Sequence, residues 1–226
     1  MRPETFVGSS GRDGLYRLDI KNTYFEFLPF DHGVEGETTL SIHELKKGQA
    51  YQPILTTKSG FYRLRTSDVM VYMGEEKGVP LVTYEYDSTQ SFYAGELYLT
   101  EKDISLAVID IIEKLDIRVD DFAYLWDEDK EVIDLYIELY DESDANGTAA
   151  SRMEEIFRRY LQSCISSDGR GGDVPKVAVY LVEPQTHQLY TDIQAFRYGY
   201  SSIQVRPVRY LDNPVKEGFF KAHIMN

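Results

Sequence analysis

The sequence predicts an α+β protein: a small antiparallel β-rich part followed by an α/β two-layer part. Three observations predict it. Residues 20–86 carry short apolar and aromatic runs broken by Gly- and Lys-containing turns, the signature of antiparallel strands. Residues 101–115 and 149–164 carry apolar side chains at three- and four-residue spacing, the helical period. Between and after those helices lie stretches in which apolar and polar residues alternate, the strand period.

Tyr24 to Phe30 (YFEFLPF) reads as a strand bounded by the turn Asp31-His32-Gly33. Thr38–Ile42 and Ala50–Thr56 read as two more strands around the turn Lys46-Lys47-Gly48, and Phe61–Leu64 continues extended after Gly60. Val69–Met73 and Val79–Tyr86 form a hairpin around the loop Gly74-Glu75-Glu76-Lys77-Gly78. Residues 1–86 are therefore assigned to a β-rich subdomain, 87–96 to a polar, Gly-containing hinge, and 97–226 to an α/β C-terminal domain. In that domain a helix spans Glu101–Leu115, capped by Thr100 with Asp103 three residues on, and burying Ile104, Val108, Ile111, Ile112 and Leu115. Strands follow at Phe122–Trp126 and Val132–Tyr140 around Asp127-Glu128-Asp129-Lys130. In the second, Ile133, Leu135, Ile137 and Leu139 alternate with Asp134, Tyr136 and Glu138, which predicts a half-buried strand. A helix from about Ala149 to Cys164 presents Met153, Ile156, Phe157, Tyr160 and Leu161 on one face. Residues 166–173 form a loop, Val177–Val182 a strand, 187–197 a third helix and Ile203–Val208 a last strand.

Composition narrows the function. The 226 residues include 38 acidic and 24 basic side chains, a formal net charge of −14. Such a chain is a poor match for nucleic acid, because gripping phosphate backbones needs clustered Lys and Arg. A single cysteine, Cys164, excludes an intrachain disulfide framework and a Cys-based zinc site. No apolar run reaches the roughly 20 residues that span a bilayer, and the N-terminus has no apolar signal core. The expectation is a cytoplasmic protein with neither membrane nor nucleic-acid partner.

The informative stretch is Thr56-Thr57-Lys58-Ser59-Gly60-Phe61-Tyr62-Arg63-Leu64-Arg65-Thr66-Ser67-Asp68. It resembles the TT-x-x-G-L-Y-R-Y-R-x-G-D signature of the plant auxin-responsive acyl-acid amido synthetases, members of the adenylate-forming superfamily. Further matches fall in the same order. Tyr24-Phe25-Glu26-Phe27-Leu28-Pro29 resembles the family's Y-F-E-F-I-P, and Leu45-Lys46-Lys47-Gly48-Gln49-Ala50-Tyr51 its L-x-x-G-x-x-Y. Gly95-Glu96-Leu97-Tyr98-Leu99-Thr100-Glu101 resembles its G-E-K-L-T-E, and Ser202-Ile203-Gln204-Val205-Arg206-Pro207 its terminal Q-x-K-x-P-R. Phe6-Val7-Gly8-Ser9-Ser10-Gly11 is similar to Y-x-x-S-E-G. The resemblance covers the C-terminal portion of the family's chain.

That resemblance implies ATP-dependent formation of an acyl-adenylate, then transfer of the acyl group to an amino acid. ATP and Mg²⁺ would be the cofactors, and a small carboxylic acid and an amino acid the substrates. It places Asp68 on the ribose hydroxyls, with Arg65 and Tyr62 as further nucleotide contacts and Arg206 in the role of the late catalytic lysine. A carboxylate suits a vicinal diol because it accepts two hydrogen bonds; the plain alternative is that Asp68 caps a turn before its strand. Several family charges are missing. The S-E-G glutamate is Ser10, the G-D glycine is Ser67, the G-E-K lysine is Leu97, and no Gly-rich phosphate loop is present. An Arg in place of a Lys keeps charge without the compact ammonium.

Other candidates are weaker. Asp127-Glu128-Asp129 sits at a turn where solvated acids are ordinary, so no metal ligands are nominated. Glu26, between Phe25 and Phe27, is expected to face water. No G-x-S-x-G nucleophile elbow occurs. Two functional readings follow. In the first, the chain is the C-terminal part of an amido synthetase, incomplete or inactive alone, that works with a separate N-terminal lobe or synthetase subunit. In the second, it is a non-catalytic binding or regulatory module that kept the fold.

Overall fold

The computed structural model describes residues 7–10, 14–31, 33–145, 147–167, 173–199 and 207–225. The expected α+β class is observed, and the chain divides into two compact units, Met1–Thr89 and Gln90–Asn226. No helix among the described residues is long and apolar enough to cross a membrane.

The first unit is one sheet. Its strands are β1 (Val7–Ser10), β2 (Leu15–Leu18), β3 (Thr23–Asp31), β4 (Val34–Glu35), β5 (Ala50–Thr57), β6 (Leu64–Arg65), β7 (Asp68–Glu76) and β8 (Val79–Asp87). They run in the order β1-β2-β8-β7-β5-β3-β4, with β6 paired to β5. The core forms because alternate residues of β3 point one way: Phe25 and Phe27 pack with Leu18, Tyr51, Leu55, Met70, Tyr72 and Val82.

Three local expectations are corrected. Thr38–Ile42 is not a strand; Leu40 makes only a bridge to Phe27, and Ile42–Glu44 winds into a short 3₁₀ turn. The reason is the Ser41-x-x-Glu44 spacing, in which the Glu44 carboxylate accepts from Ser41 N (2.8 Å) and Oγ (2.7 Å). Phe61–Leu64 does not run extended as a strand; only Leu64 and Arg65 pair, against Leu55 and Ile54. The loop at 74–78 shrinks to Lys77-Gly78, both left-handed with φ of 53° and 75°, as a two-residue hairpin turn requires. Gly74, at φ 113°, lies inside β7 where the register shifts, so it makes a bulge and starts no loop.

The second unit opens with a hairpin the sequence reading missed, β9 (Phe92–Ala94) and β10 (Leu97–Leu99). It leads into α1 (Glu101–Leu115), whose Thr100 Oγ1 accepts from Asp103 N at 3.1 Å while Asp103 accepts from Thr100 N at 2.9 Å, the reciprocal cap that was expected. Then come β11 (Val119–Asp127), β12 (Val132–Leu139), α2 (Ala149–Ser167), β13 (Lys176–Val182), α3 (Thr186–Tyr198) and α4 (Pro214–Ala222). β12 is the central strand, antiparallel to β11 and parallel to β13, with α2 as the crossover. Helix α4 was missed, although Asn213 caps it through Val215 N and Lys216 N and Pro214 stands at its first turn. The expected strand Ile203–Val208 falls mainly outside the described residues, as does most of the 166–173 loop.

The main correction concerns β12, which is buried along both faces. Ile133, Leu135, Ile137 and Leu139 join the core made with α1 and α2. Tyr136 packs on the other side with Tyr190 of α3 and Phe220 of α4. The polar alternates thus face a second helical layer. Glu138, 5% exposed, accepts from Gln185 N (2.6 Å), His187 N (3.0 Å) and His187 Nδ1 (2.9 Å), which anchors the start of α3 to the sheet.

Candidate functional site

The signature residues gather at the end of the first unit's sheet where β5, β6, β7 and β8 meet. Its two threonines do structural work. Thr56 Oγ1 accepts from Arg63 N at 3.1 Å and Thr57 Oγ1 from Phe61 N at 3.4 Å. Thr57 also exchanges backbone bonds with Phe61 and Gly60, so the 58–63 loop is folded back onto the end of β5. Gly60 takes a φ of 105°, a conformation that favours glycine.

That loop delivers Arg65 to β6, opposite Ile54. Its guanidinium meets the side chain of Gln52, a 2% exposed residue of β5: Nε lies 3.2 Å and Nη2 2.5 Å from Gln52 Oε1. Nη2 also pairs with Glu35, whose carboxyl it holds below the usual range. The Gln52 amide nitrogen donates to Ser88 Oγ at 2.9 Å. Thr66 N and Oγ1 both reach Pro53 O, at 3.2 and 3.1 Å, and Ser88 N donates to Ser67 O at 2.8 Å. The chain is therefore pinned on both sides of the Arg65-to-Asp68 turn.

Asp68 begins β7 directly opposite Asp87, the last residue of β8, and both are buried, at 9% and 2% exposure. Asp87 Oδ1 accepts from Thr89 N (3.0 Å) and Thr89 Oγ1 (2.7 Å). Asp68 is thus a strand residue with a strand partner, more than a cap on a turn. Tyr62 stands on the loop before β6 and is 81% exposed. The structure places Arg65 and Asp68 on the segment pinned by Pro53, Gln52 and Ser88. Arg206 lies outside the described residues, as do most of the Ser202–Pro207 motif and, apart from the backbone of 7–10, the Phe6–Gly11 motif. Glu26 does not face open water: it is half-buried, accepts from Thr39 Oγ1 at 3.2 Å and pairs with Arg63 at 3.1 Å. Asp127, at the hairpin between β11 and β12, is engaged by Lys130.

Sequence reasoning missed Gln52, Glu35, Asp87 and Ser88. One signal was legible. Gln52 interrupts an apolar strand between Tyr51 and Pro53, and a polar side chain at a buried position needs partners.

Comparison with known proteins agrees with the motifs. Residues 16–86 match the GH3 family central domain. Indole-3-acetic acid-amido synthetase GH3.4 of Arabidopsis thaliana is 34% identical over 69 residues, which are 29% of this chain and 12% of that protein. Jasmonoyl–L-amino acid synthetase JAR6 of Nicotiana attenuata is 32% identical over 89 residues, 38% of this chain and 15% of that protein. Among solved structures, a GH3.15 acyl acid amido synthetase superposes with a TM-score of 0.76 at 21% identity, covering 96% of this chain and 39% of that one. A 2-hydroxyisobutyryl-CoA ligase in complex with R3-HIB-AMP superposes with a TM-score of 0.60 at 13% identity, covering 95% and 41%. These two matches establish a shared fold. The resemblance to the acyl-acid amido synthetases is shown, and it covers well under half of those proteins' length.

Proposed function

We propose, from the kinship of residues 16–86 with the GH3 family central domain, that this chain forms the ribose-side edge of a nucleotide site and the C-terminal domain of an acyl-acid amido synthetase. ATP with Mg²⁺, a small carboxylic acid and an amino acid would be the reactants of the complete enzyme. Asp68 would accept the ribose hydroxyls, and Arg65 and Tyr62 would lie along the nucleotide. Arg206 would approach the reacting α-phosphate. Within the 87–96 segment, the junction near Thr89 and Gln90, ahead of β9, would serve as the hinge about which the C-terminal domain alternates between adenylation and acyl transfer. The phosphate-binding groups come from protein outside these 226 residues, on the same or another polypeptide. The 226 residues by themselves do not adenylate.

One observation carries this reading: the backbone between Arg65 and Asp68 is pinned on both sides, and the Arg65 guanidinium is held by Gln52. An arginine held in place on a pinned backbone loses little freedom when a ligand arrives. The test is calorimetric titration with AMP and with ATP–Mg²⁺, beside an ATP–pyrophosphate exchange assay. The expected result is AMP binding that Asp68→Asn abolishes, ATP binding no tighter with Mg²⁺ than without, and no exchange. Exchange by the chain alone would overturn the incompleteness; absence of heat with either nucleotide would overturn nucleotide binding.

A second reading, a non-catalytic module, is favoured by a specific feature. Arg65 already has a carboxylate partner in Glu35, and the lysine of the G-E-K pattern is Leu97, a 3% exposed core residue. Under that reading neither nucleotide binds, and the chain associates with a synthetase through other surfaces.

A further inference from the structure

We infer that Gln52 is the positioning residue of the proposed nucleotide site, setting which edge of the Arg65 guanidinium faces a ligand. The inference rests on the nucleotide reading above.

A guanidinium has five N–H donors in a fixed plane. Gln52 Oε1 takes Nε and Nη2, and Glu35 takes Nη2 again. Among the described residues, the Nη1 edge is the one these partners leave toward a ligand. The Arg65 side chain is 44% exposed, so that edge is reachable. The acceptors it suits are the ribose hydroxyl and phosphate oxygens of an adenine nucleotide.

Gln52 can hold this orientation because its own is dictated. The side chain is buried, and its two ends have different partners. The oxygen must face the guanidinium, since a flipped amide would set N–H against N–H. The nitrogen then faces Ser88 Oγ. One amide thus joins β5, β6 and Ser88, the residue after β8: β6 carries Arg65, and β8 ends at Asp87, the strand partner of Asp68 on β7. Glu35 alone would leave Arg65 free to rotate, because that pair is half exposed and water competes for it.

The test uses Gln52→Ala, Gln52→Glu and Arg65→Ala in the full chain. The first readout needs no ligand: proton exchange at Arg65 Nε, followed by NMR. Exchange is expected to be slowed in the wild type, fast in Gln52→Ala, and slowed again in Gln52→Glu, whose carboxylate still accepts from Arg65. The second readout is AMP affinity by calorimetry. Gln52→Ala is expected to weaken AMP about tenfold, the size of one lost hydrogen bond to a charged group. Arg65→Ala should do the same, and the double variant should lose no more. Gln52→Glu should recover affinity while losing stability, because it no longer donates to Ser88; a residue with only a structural role would lose both together. If Arg65 Nε stays protected in Gln52→Ala, or AMP affinity is unchanged there while the wild type binds, the role of Gln52 is overturned and the nucleotide site stands. If the wild type itself gives no heat with AMP, the nucleotide reading falls and this inference with it.

Discussion

Replacing Glu138 by Gln should destabilise the second unit by about 3 kcal/mol, the sum of one lost charge-assisted hydrogen bond and a lost anion at a helix N-terminus. The structure supplies each part. Glu138 is 5% exposed and accepts three hydrogen bonds, two of them from the backbone at the start of α3. Gln185 stands there in a left-handed conformation, φ 66°, with no capping bond from its own side chain. The carboxylate of β12 does the cap's job from across the core. Burial pushes the Glu138 carboxyl up, and the donors of His187 and Gln185 outweigh it, leaving the carboxyl below 4.5. A folded-state pKa below the unfolded one means stability that is fully present above pH 4.5 and lost as pH falls through the folded value. Urea unfolding followed by fluorescence of Trp126 is the assay, since it is the single tryptophan and packs in this unit. With a slope of roughly 2 kcal/mol per molar urea, the midpoint should fall by about 1.5 M at pH 7. The gap between wild type and variant should close in acid below pH 4.5. A midpoint within 0.3 M of wild type at pH 7, taken as about a fifth of the expected shift, or a gap that stays constant into acid, would refute the anchoring role.

Three further outcomes follow from the same logic. Asp134 is 2% exposed, its Oδ1 has no hydrogen-bond partner among the described residues, and burial pushes its carboxyl up against the pull of Lys130 and Lys221. A raised folded pKa means the cost of ionisation appears as pH climbs past 3.8, so Asp134→Asn should stabilise by about 1 kcal/mol at pH 7 and by nothing at pH 3, read in the same urea titration. Thr100→Ala should cost about 1 kcal/mol through loss of the α1 cap, with Thr100→Ser within a few tenths of wild type; amide exchange at Asp103 should quicken in the first and not the second. Gly78→Ala places a Cβ at φ 75° and should cost about 1 kcal/mol, seen as faster amide exchange across the β7–β8 hairpin.

Legibility in the sequence followed the range of the interactions. Helix α1 could be read to the residue because both its cap and its stripe are local. The β7–β8 pair was legible and its turn was not, since Gly74 serves as well for a bulge as for a loop and only the register distinguishes them. The strand β12 was misjudged because Asp134, Tyr136 and Glu138 look solvent-facing until α3 and α4 cover them, and α3 arrives about fifty residues later, as the His187 contact shows, with α4 later still. The site divides the same way. Arg65 and Asp68 were named from a contiguous motif, whereas Gln52 is 13 residues from Arg65 and Glu35 is 30. No local pattern announces a partner at that distance.

The motifs themselves separate into two kinds once their contacts are known. Thr56, Thr57 and Gly60 fold a loop against β5, and Thr100 with Asp103 caps a helix; these hold shape, and this chain keeps them. The positions that would supply charge to a bound nucleotide are kept only in part: Arg65 and Asp68 remain, with Glu35 on the Arg65 guanidinium, while Leu97 stands where the pattern has lysine and is sealed in the core. Loss of shape would unfold the domain whatever its task, while loss of charge leaves it folded and removes only a reaction. A protein that keeps the first set whole and the second only in part still needs its scaffold. That asymmetry is why an AMP titration of the wild type separates the two readings more sharply than any measurement of folding.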